Sequence, residues 1–129
     1  MKLKSFKSVK ALINYKNKFL IVKQKKFVGG EYETPGGKKL NSRESDEKAL
    51  KREVMEETGL EIKIIKLLNK WSMNLKEFGM HLDGKTFLCE ADSNKIKLSK
   101  EHTSYLWIPK ERLKNLNTPD WLKEAISKL

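Results

Sequence analysis

Apolar positions along the chain fall in short runs whose spacing changes from element to element. From Phe6 to Ile13 the apolar residues Phe6, Val9, Ala11 and Ile13 sit mostly at alternate positions, which predicts a strand. Residues 14–18 read as a turn, and the unbroken run Phe19-Leu20-Ile21-Val22 predicts a second strand buried on both faces. Gly29-Gly30 breaks the chain, and Glu31–Thr34 is extended because Pro35 excludes the helical region at the residue before it. The spacing then becomes helical, with Ala49, Leu50 and Val54 forming one apolar stripe. Ser45 suits the N-cap, Asp46 and Glu47 suit the positive end of the dipole, and Gly59 suits the stop. Ile62, Ile64 and Leu67-Leu68 predict a strand running toward Trp71. Residues 71–84 admit two readings, a loop or two strands joined at Asp83-Gly84. Lys85–Ala91 is a strand, and Ser104–Ile108 is another that Pro109 ends. Lys110–Leu116 is a short helix, and Thr118-Pro119-Asp120 caps a last helix, Trp121–Leu129. Strands on both sides of one central helix, with a helix at the end, make a mixed α/β sandwich.

At 129 residues this is one domain, and its apolar runs supply one modest core. No apolar run of about 18 residues exists to span a bilayer. The charged N-terminus lacks the apolar stretch of a secretory signal. The single cysteine, Cys89, lies in an apolar run and reads as a buried strand residue, which makes a reducing cytoplasm the expected setting. A net charge of +11 raises nucleic acid as a partner. The lysines are interspersed with glutamates, however, so a soluble charged surface is the stronger reading. The same positive field would speed the approach of a polyphosphate.

Against that background, Glu44 to Glu61 holds seven acidic and three basic residues, an acidic knot in a basic chain. Within it, Glu53 is a helical neighbour of both Glu56 and Glu57. Clustered carboxylates raise one another's pKa unless something positive lies between them. A hard cation answers that need, because Mg²⁺ prefers oxygen ligands and shares its shell with substrate phosphates. The alternative for a glutamate-rich helical face is plain solvation.

The residues Pro35-Gly36-Gly37, then Glu44, then after seven more Arg52-Glu53-Val54-Met55-Glu56-Glu57-Thr58-Gly59-Leu60 resemble the Nudix box of the Nudix hydrolases. Six residues separate Gly37 from Glu44, one more than the family pattern has, and Leu40 stands where a glutamate is common. The resemblance implies an α/β/α sandwich with a mixed sheet, the box forming a loop-helix-loop. It also implies that Glu53, Glu56 and Glu57 bind Mg²⁺, with Mn²⁺ as an alternative, and that a carbonyl at Gly36 or Gly37 joins them. Arg52 would brace the glutamates, and Glu44 would support the metal shell or the helix start. Glu101 occupies a place where similar pyrophosphohydrolases carry a further glutamate, a candidate ligand or general base. Beside it His102 reads better as a solvated loop residue, and His81 likewise reads as a minor candidate for substrate contact.

Phosphate contacts are expected from Lys38, Lys39, Arg43 and Lys23, stacking from Tyr32, Phe27 or Trp121, and base recognition from Asp120. The activity implied is hydrolysis of a nucleoside diphosphate linked to another moiety, most simply a nucleoside triphosphate cut to monophosphate and pyrophosphate, as in MutT-like members. Met73-Asn74-Leu75 stands where some ADP-ribose hydrolases carry a proline, and the tyrosine of dinucleoside polyphosphate hydrolases is absent. ADP-ribose or another nucleotide sugar, an RNA 5′ end, and a non-catalytic nucleotide-binding role are the alternatives. The expected assembly is a monomer or homodimer, with neither membrane nor nucleic acid as a favoured partner.

Overall fold

The computed structural model describes residues 2–25, 29–100 and 102–129. β1 (Lys4–Tyr15) and β2 (Lys18–Gln24) form a hairpin. Its two turn residues, Lys16 and Asn17, take φ of 47° and 66°, the twist-matched geometry of two-residue hairpin loops. The strands pair only at Asn14 and Tyr15 and then diverge. Two short strands fill the wedge between them. β3 (Tyr32–Glu33) pairs with β2, and β4 (Gly36–Lys38) pairs with β1. On the other side of β1, β6 (Met80–Ala91) runs parallel to it, and β5 (Ile62–Leu75) closes that edge antiparallel to β6. β7 (His102–Pro109) lies on the outer side of β2. Among the described residues, these seven strands make one mixed sheet.

Alternation along β1 divides the core in two. Val9, Ala11 and Ile13 meet Ala49, Leu50 and Val54 of α1 (Asp46–Thr58) on one face. Leu12, with Phe19 and Ile21 of β2, meets Leu113 of α2 (Lys110–Leu113) and Leu122 and Ala125 of α3 (Asp120–Ser127) on the other. The expected mixed sandwich is therefore the observed one. Each of the fully buried valine, leucine and isoleucine side chains among these contributes about 1.5–3 kcal/mol by leaving water. Cys89 is buried as expected, and burial pushes its thiol pKa up to about 12, so it is not a nucleophile at neutral pH.

The segment 71–84 is two strands, but they do not turn at Asp83-Gly84. The chain reverses at a single 3₁₀ turn, Lys76–Phe78, with Gly79 at φ 62°. Gly84 lies inside β6, where the Trp71 ring packs so closely that a Cβ would stand 2.1 Å from it. Trp71 in turn stacks on Trp121 of α3 (centroids 4.7 Å apart, planes 18°) and donates to Thr86 Oγ1 at 3.1 Å. Asn69 donates to the Trp121 carbonyl at 2.9 Å. α3 is thus clamped to β5 through its first turn. The ends of other elements also shift. β7 begins at His102 rather than Ser104, and α2 stops at Leu113 rather than Leu116. No side chain caps α3; the Pro119 carbonyl accepts from Leu122 and Lys123 instead. Among the described residues, no helix is long and apolar enough to cross a membrane.

Candidate active site

α1 starts cleanly because the Ser45 side chain accepts from the Lys48 N–H at 3.1 Å, and it ends on Gly59, whose N–H returns to the Met55 carbonyl. The loop before it absorbs the extra residue in an Asn41 turn: Asn41 Oδ1 accepts from the N–H groups of Arg43 (2.9 Å) and Glu44 (3.1 Å). Glu44 then accepts from the Leu40 N–H at 2.8 Å and from Arg52 Nε and Nη2, each at 3.0 Å. That forked pair holds the Glu44 carboxyl below its ordinary pKa and the Arg52 guanidinium above its own. Arg52 also donates to Glu53 (3.0 Å) and to the Lys38 carbonyl (3.3 Å), and lies 3.7 Å from Glu56. One guanidinium thereby ties the loop, β4 and α1 together.

The three box carboxylates face different surroundings. Glu53 rests against the backbone of Gly37, where a Cβ would stand 2.6 Å from its carboxyl carbon. Only glycine allows that approach. Glu56 is the exposed member, its side chain 60% accessible. Glu57 is turned inward: its Oε2 accepts from the Gly36 N–H at 2.7 Å, and Oε1 lies 3.7 Å from His102 Nδ1. The even trio on one helical face is therefore not what forms, because β4 packs on one flank of the helix and its Gly36 N–H draws Glu57 in. Among the described residues, no three His, Cys, Asp or Glu side chains stand together as a metal cluster. The donor chemistry still suits a hard cation. All the groups are oxygens, and the glycine cradle brings the Glu53 carboxylate against the Gly37 backbone.

Behind these groups lies a buried polar chain that sequence reasoning missed. Lys10 Nζ pairs with Glu33 Oε1 at 2.9 Å, the two side chains only 12% and 17% exposed. Glu33 Oε2 accepts from His102 Nε2 at 3.1 Å. Burial pushes the Glu33 carboxyl up, but the Lys10 charge and the bonds from His102 and Lys10 outweigh it and hold it at about 2. Burial likewise opposes the Lys10 charge, and Glu33, Glu57 and Glu53 together outweigh it, leaving its pKa raised. The available signal was a lysine at an inward position of β1, between Ser8 and Leu12 on the same face. His102, expected in a solvated loop, is buried at 2% side-chain exposure because β7 begins two residues early.

Lys10, Glu33, Gly37 and Glu53 line a cavity of about 570 Å³ on the α3 face of the sheet. Its apolar walls are Phe6, Met73 and Leu82 on the strands, with Trp71 and Trp121 at the helix side. Lys38 also lines it, its ammonium 4.4 Å from the centre of the Phe6 ring. A second hollow of about 630 Å³ lies on the α1 face among Lys7, Lys39, Lys70 and Lys85. There Asp46 pairs with Lys39 and Lys85, and Asp83 with Lys7, and no box glutamate reaches it.

Several expected contacts are not brought to the cavity. Lys23 pairs with Glu31 at 3.2 Å, Arg43 is exposed on the loop, and Asp120 is exposed at the start of α3; none of the three lines the cavity. His81, between Asn74 (2.6 Å) and Asp83 (3.1 Å), points to the face opposite Met80 and Leu82. Tyr32 packs into the core beside α3. Glu101 and Phe27 lie outside the described residues.

Comparison with known proteins gives the same picture. The NUDIX domain family model matches residues 5–129. No curated protein matches the chain. Among solved structures, the MutT protein from Methanosarcina mazei Go1 superposes with a TM-score of 0.82 at 26% identity, covering 99% of this chain and 94% of that one. The MutT NUDIX hydrolase from Burkholderia pseudomallei gives 0.78 at 21% identity, with 98% of both chains covered. A C. elegans Ap4A hydrolase gives 0.77 at 18%, covering 95% of this chain and 93% of that one, and these last two likenesses concern the fold alone. With the family model spanning the described core from β1 to α3, this chain belongs to the Nudix family and is a Nudix hydrolase.

Proposed function

We propose that the protein hydrolyses a nucleoside triphosphate to the monophosphate and pyrophosphate in a Mg²⁺-dependent reaction, Mn²⁺ being the alternative ion. The observation that carries this reading is the continuity of one cavity, whose lining runs from Glu53 and Gly37 to a wall of Trp71 and Trp121. A volume of about 570 Å³ falls in the range of small-ligand pockets. The likeness to a protein called MutT supports a triphosphate substrate.

Glu53, Glu56, Glu57 and the Gly37 carbonyl would hold the ion, with the exposed Glu56 drawn toward the other two. When bound, the cation neutralises phosphate oxygens and favours deprotonation of an attacking water. The chain's own groups do the rest. Arg52 keeps Glu53 and Glu44 oriented by charged hydrogen bonds. Lys38 meets phosphate oxygens at the mouth of the cavity. Glu101 takes the water proton. The base lies along the Trp71–Trp121 wall, where the Lys10 ammonium and the Glu33 carboxylate offer a donor and an acceptor to its edge. Glu33 remains an anion across the physiological range, so it accepts only.

The test is turnover across a panel of canonical and oxidised nucleoside triphosphates, ADP-ribose, dinucleoside polyphosphates and 5′-triphosphate RNA, with Mg²⁺ present or chelated. The expected result is metal-dependent pyrophosphate release from a triphosphate. Turnover of ADP-ribose or RNA alone would replace the substrate in this reading. Binding without turnover of any member would replace the activity.

A further inference from the structure

His102 has no part in the reaction as described, yet the fold goes to some length to place it. It opens β7, whose next four residues are exposed, and is itself buried. The β2–β7 pairing shifts register between Val22 and Gln24, and Gln24 is the residue paired with His102. Such irregularities re-aim a side chain that regular pairing would send elsewhere.

The ring lies between two carboxylates on different elements. A carboxylate only accepts hydrogen bonds, so the 3.1 Å contact with Glu33 puts a hydrogen on Nε2. Nδ1 is fully buried, makes no hydrogen bond, and stands 3.7 Å from Glu57 Oε1. Leaving a buried polar nitrogen without a partner is costly, which argues that the position serves the site rather than stability. On its other side Glu57 is held by the Gly36 N–H at 2.7 Å. The Glu57 carboxylate therefore sits between a main-chain donor on β4 and the edge of an imidazole anchored through Glu33 to Lys10.

We propose that His102 is a positioning residue for Glu57. Anchored on Glu33, it fixes the orientation in which that carboxylate is presented to the cation and ties it to the wall of the nucleotide cavity. The inference rests on the hydrolase reading above. It differs from the expectation that His102 would be a solvated loop residue. Groups that orient a metal ligand from behind alter metal affinity or activity by about 10–100-fold when removed.

Two variants of the full chain test it. A glutamine amide reaches the place of Nε2, so His102→Gln keeps a donor for Glu33 while removing the ring edge that faces Glu57. His102→Ala removes both. The first readout is Mn²⁺ affinity without nucleotide, measured from the paramagnetic resonance signal of the free ion. The second is kcat and KM at saturating metal, with the melting temperature followed alongside. The expected result for His102→Gln is Mn²⁺ affinity weakened about 10–100-fold with lower kcat, KM for the nucleotide near its parental value, and a melting temperature close to the parent's. His102→Ala should lose at least as much, and if it fails to fold, His102→Gln decides alone. A folded His102→Gln with parental Mn²⁺ affinity and kcat would overturn the proposal, as would a fall in melting temperature alone. Should the parent protein itself bind no Mn²⁺ and turn over no nucleotide, the hydrolase reading fails instead, and the two failures are distinguishable.

Discussion

The two sides of this active site are built by different means. On the α1 side, the box carboxylates and Arg52 come from one stretch of chain, and main-chain groups hold them: the Gly36 N–H on Glu57, the Gly37 backbone against Glu53, the Lys38 carbonyl on Arg52. On the α3 side, the cavity is assembled from several separated strands and a helix, and side chains hold it: the Trp71–Trp121 stack, Asn69 on the Trp121 carbonyl, Lys10 on Glu33. The first side tolerates almost no change in backbone position. On the second side the aromatic wall is built from side chains, while Glu33 and His102 join the cavity to Glu57. A fold divided this way can keep one hydrolytic reaction while its substrate changes.

That contrast is tested most severely by Glu57→Gln. It removes the charge but keeps an acceptor for the Gly36 N–H, so turnover should fall by roughly 10²–10⁴-fold while nucleotide binding to the cavity persists. Initial rates and equilibrium binding on the same preparation check both halves. Gly37→Ala follows. Its Cβ would stand 2.6 Å from the Glu53 carboxyl carbon, and displacing a reacting group by about 1 Å costs on the order of 10²-fold. It should lower kcat and leave KM near its original value. Trp71→Ala should do the reverse. A stacking partner is worth about 1–3 kcal/mol per base, so KM should rise roughly tenfold with kcat largely retained. Equal loss of kcat in the Trp71 and Gly37 variants would erase the division between the two sides.

The smallest effect expected is on stability, through Glu33. Its folded pKa of about 2 lies below the ordinary 4.5. The group therefore contributes stability that is fully present above pH 4.5 and is lost as pH falls through about 2. Glu33→Gln should be less stable than the parent at neutral pH, where it leaves Lys10 without its anion, and the two should converge toward pH 2. Thermal unfolding across that range reads the difference directly.

The same contrast explains what the sequence disclosed. The box was legible because its chemistry is local: helical spacing relates Glu53 to Glu56 and Glu57, and Arg52 precedes Glu56 by one turn. The core faces of β1, β2 and α1 were legible from periodicity for the same reason. Glu33, Lys10 and His102 were not, because their meeting depends on strands pairing across 23 and 69 positions of chain. The local mark on Lys10, a place between Ser8 and Leu12 on one face, is weak because β1 is buried on both faces along its second half. His102 was misplaced because His102-Thr103-Ser104 are polar residues typical of a loop, and the pairing of β7 with β2 overrides that. Gly84 misled in the opposite direction: a residue that resembles a turn signal is there to admit the Trp71 ring. The extra residue before Glu44 changed less than its count suggested, because the Asn41 turn takes up the slack and leaves Glu44 on Arg52.

The central claim is that the glycine-held carboxylates and the tryptophan-walled cavity act on one molecule, a nucleoside triphosphate. The most direct measurement follows the ³¹P resonances of a nucleoside triphosphate incubated with the protein and Mg²⁺, with the Glu57→Gln protein as the control. The account predicts that the triphosphate signals give way to those of a monophosphate and pyrophosphate, and that the control leaves them unchanged over the same time. Release of orthophosphate and a diphosphate, or a triphosphate left intact by the parent protein, would contradict it.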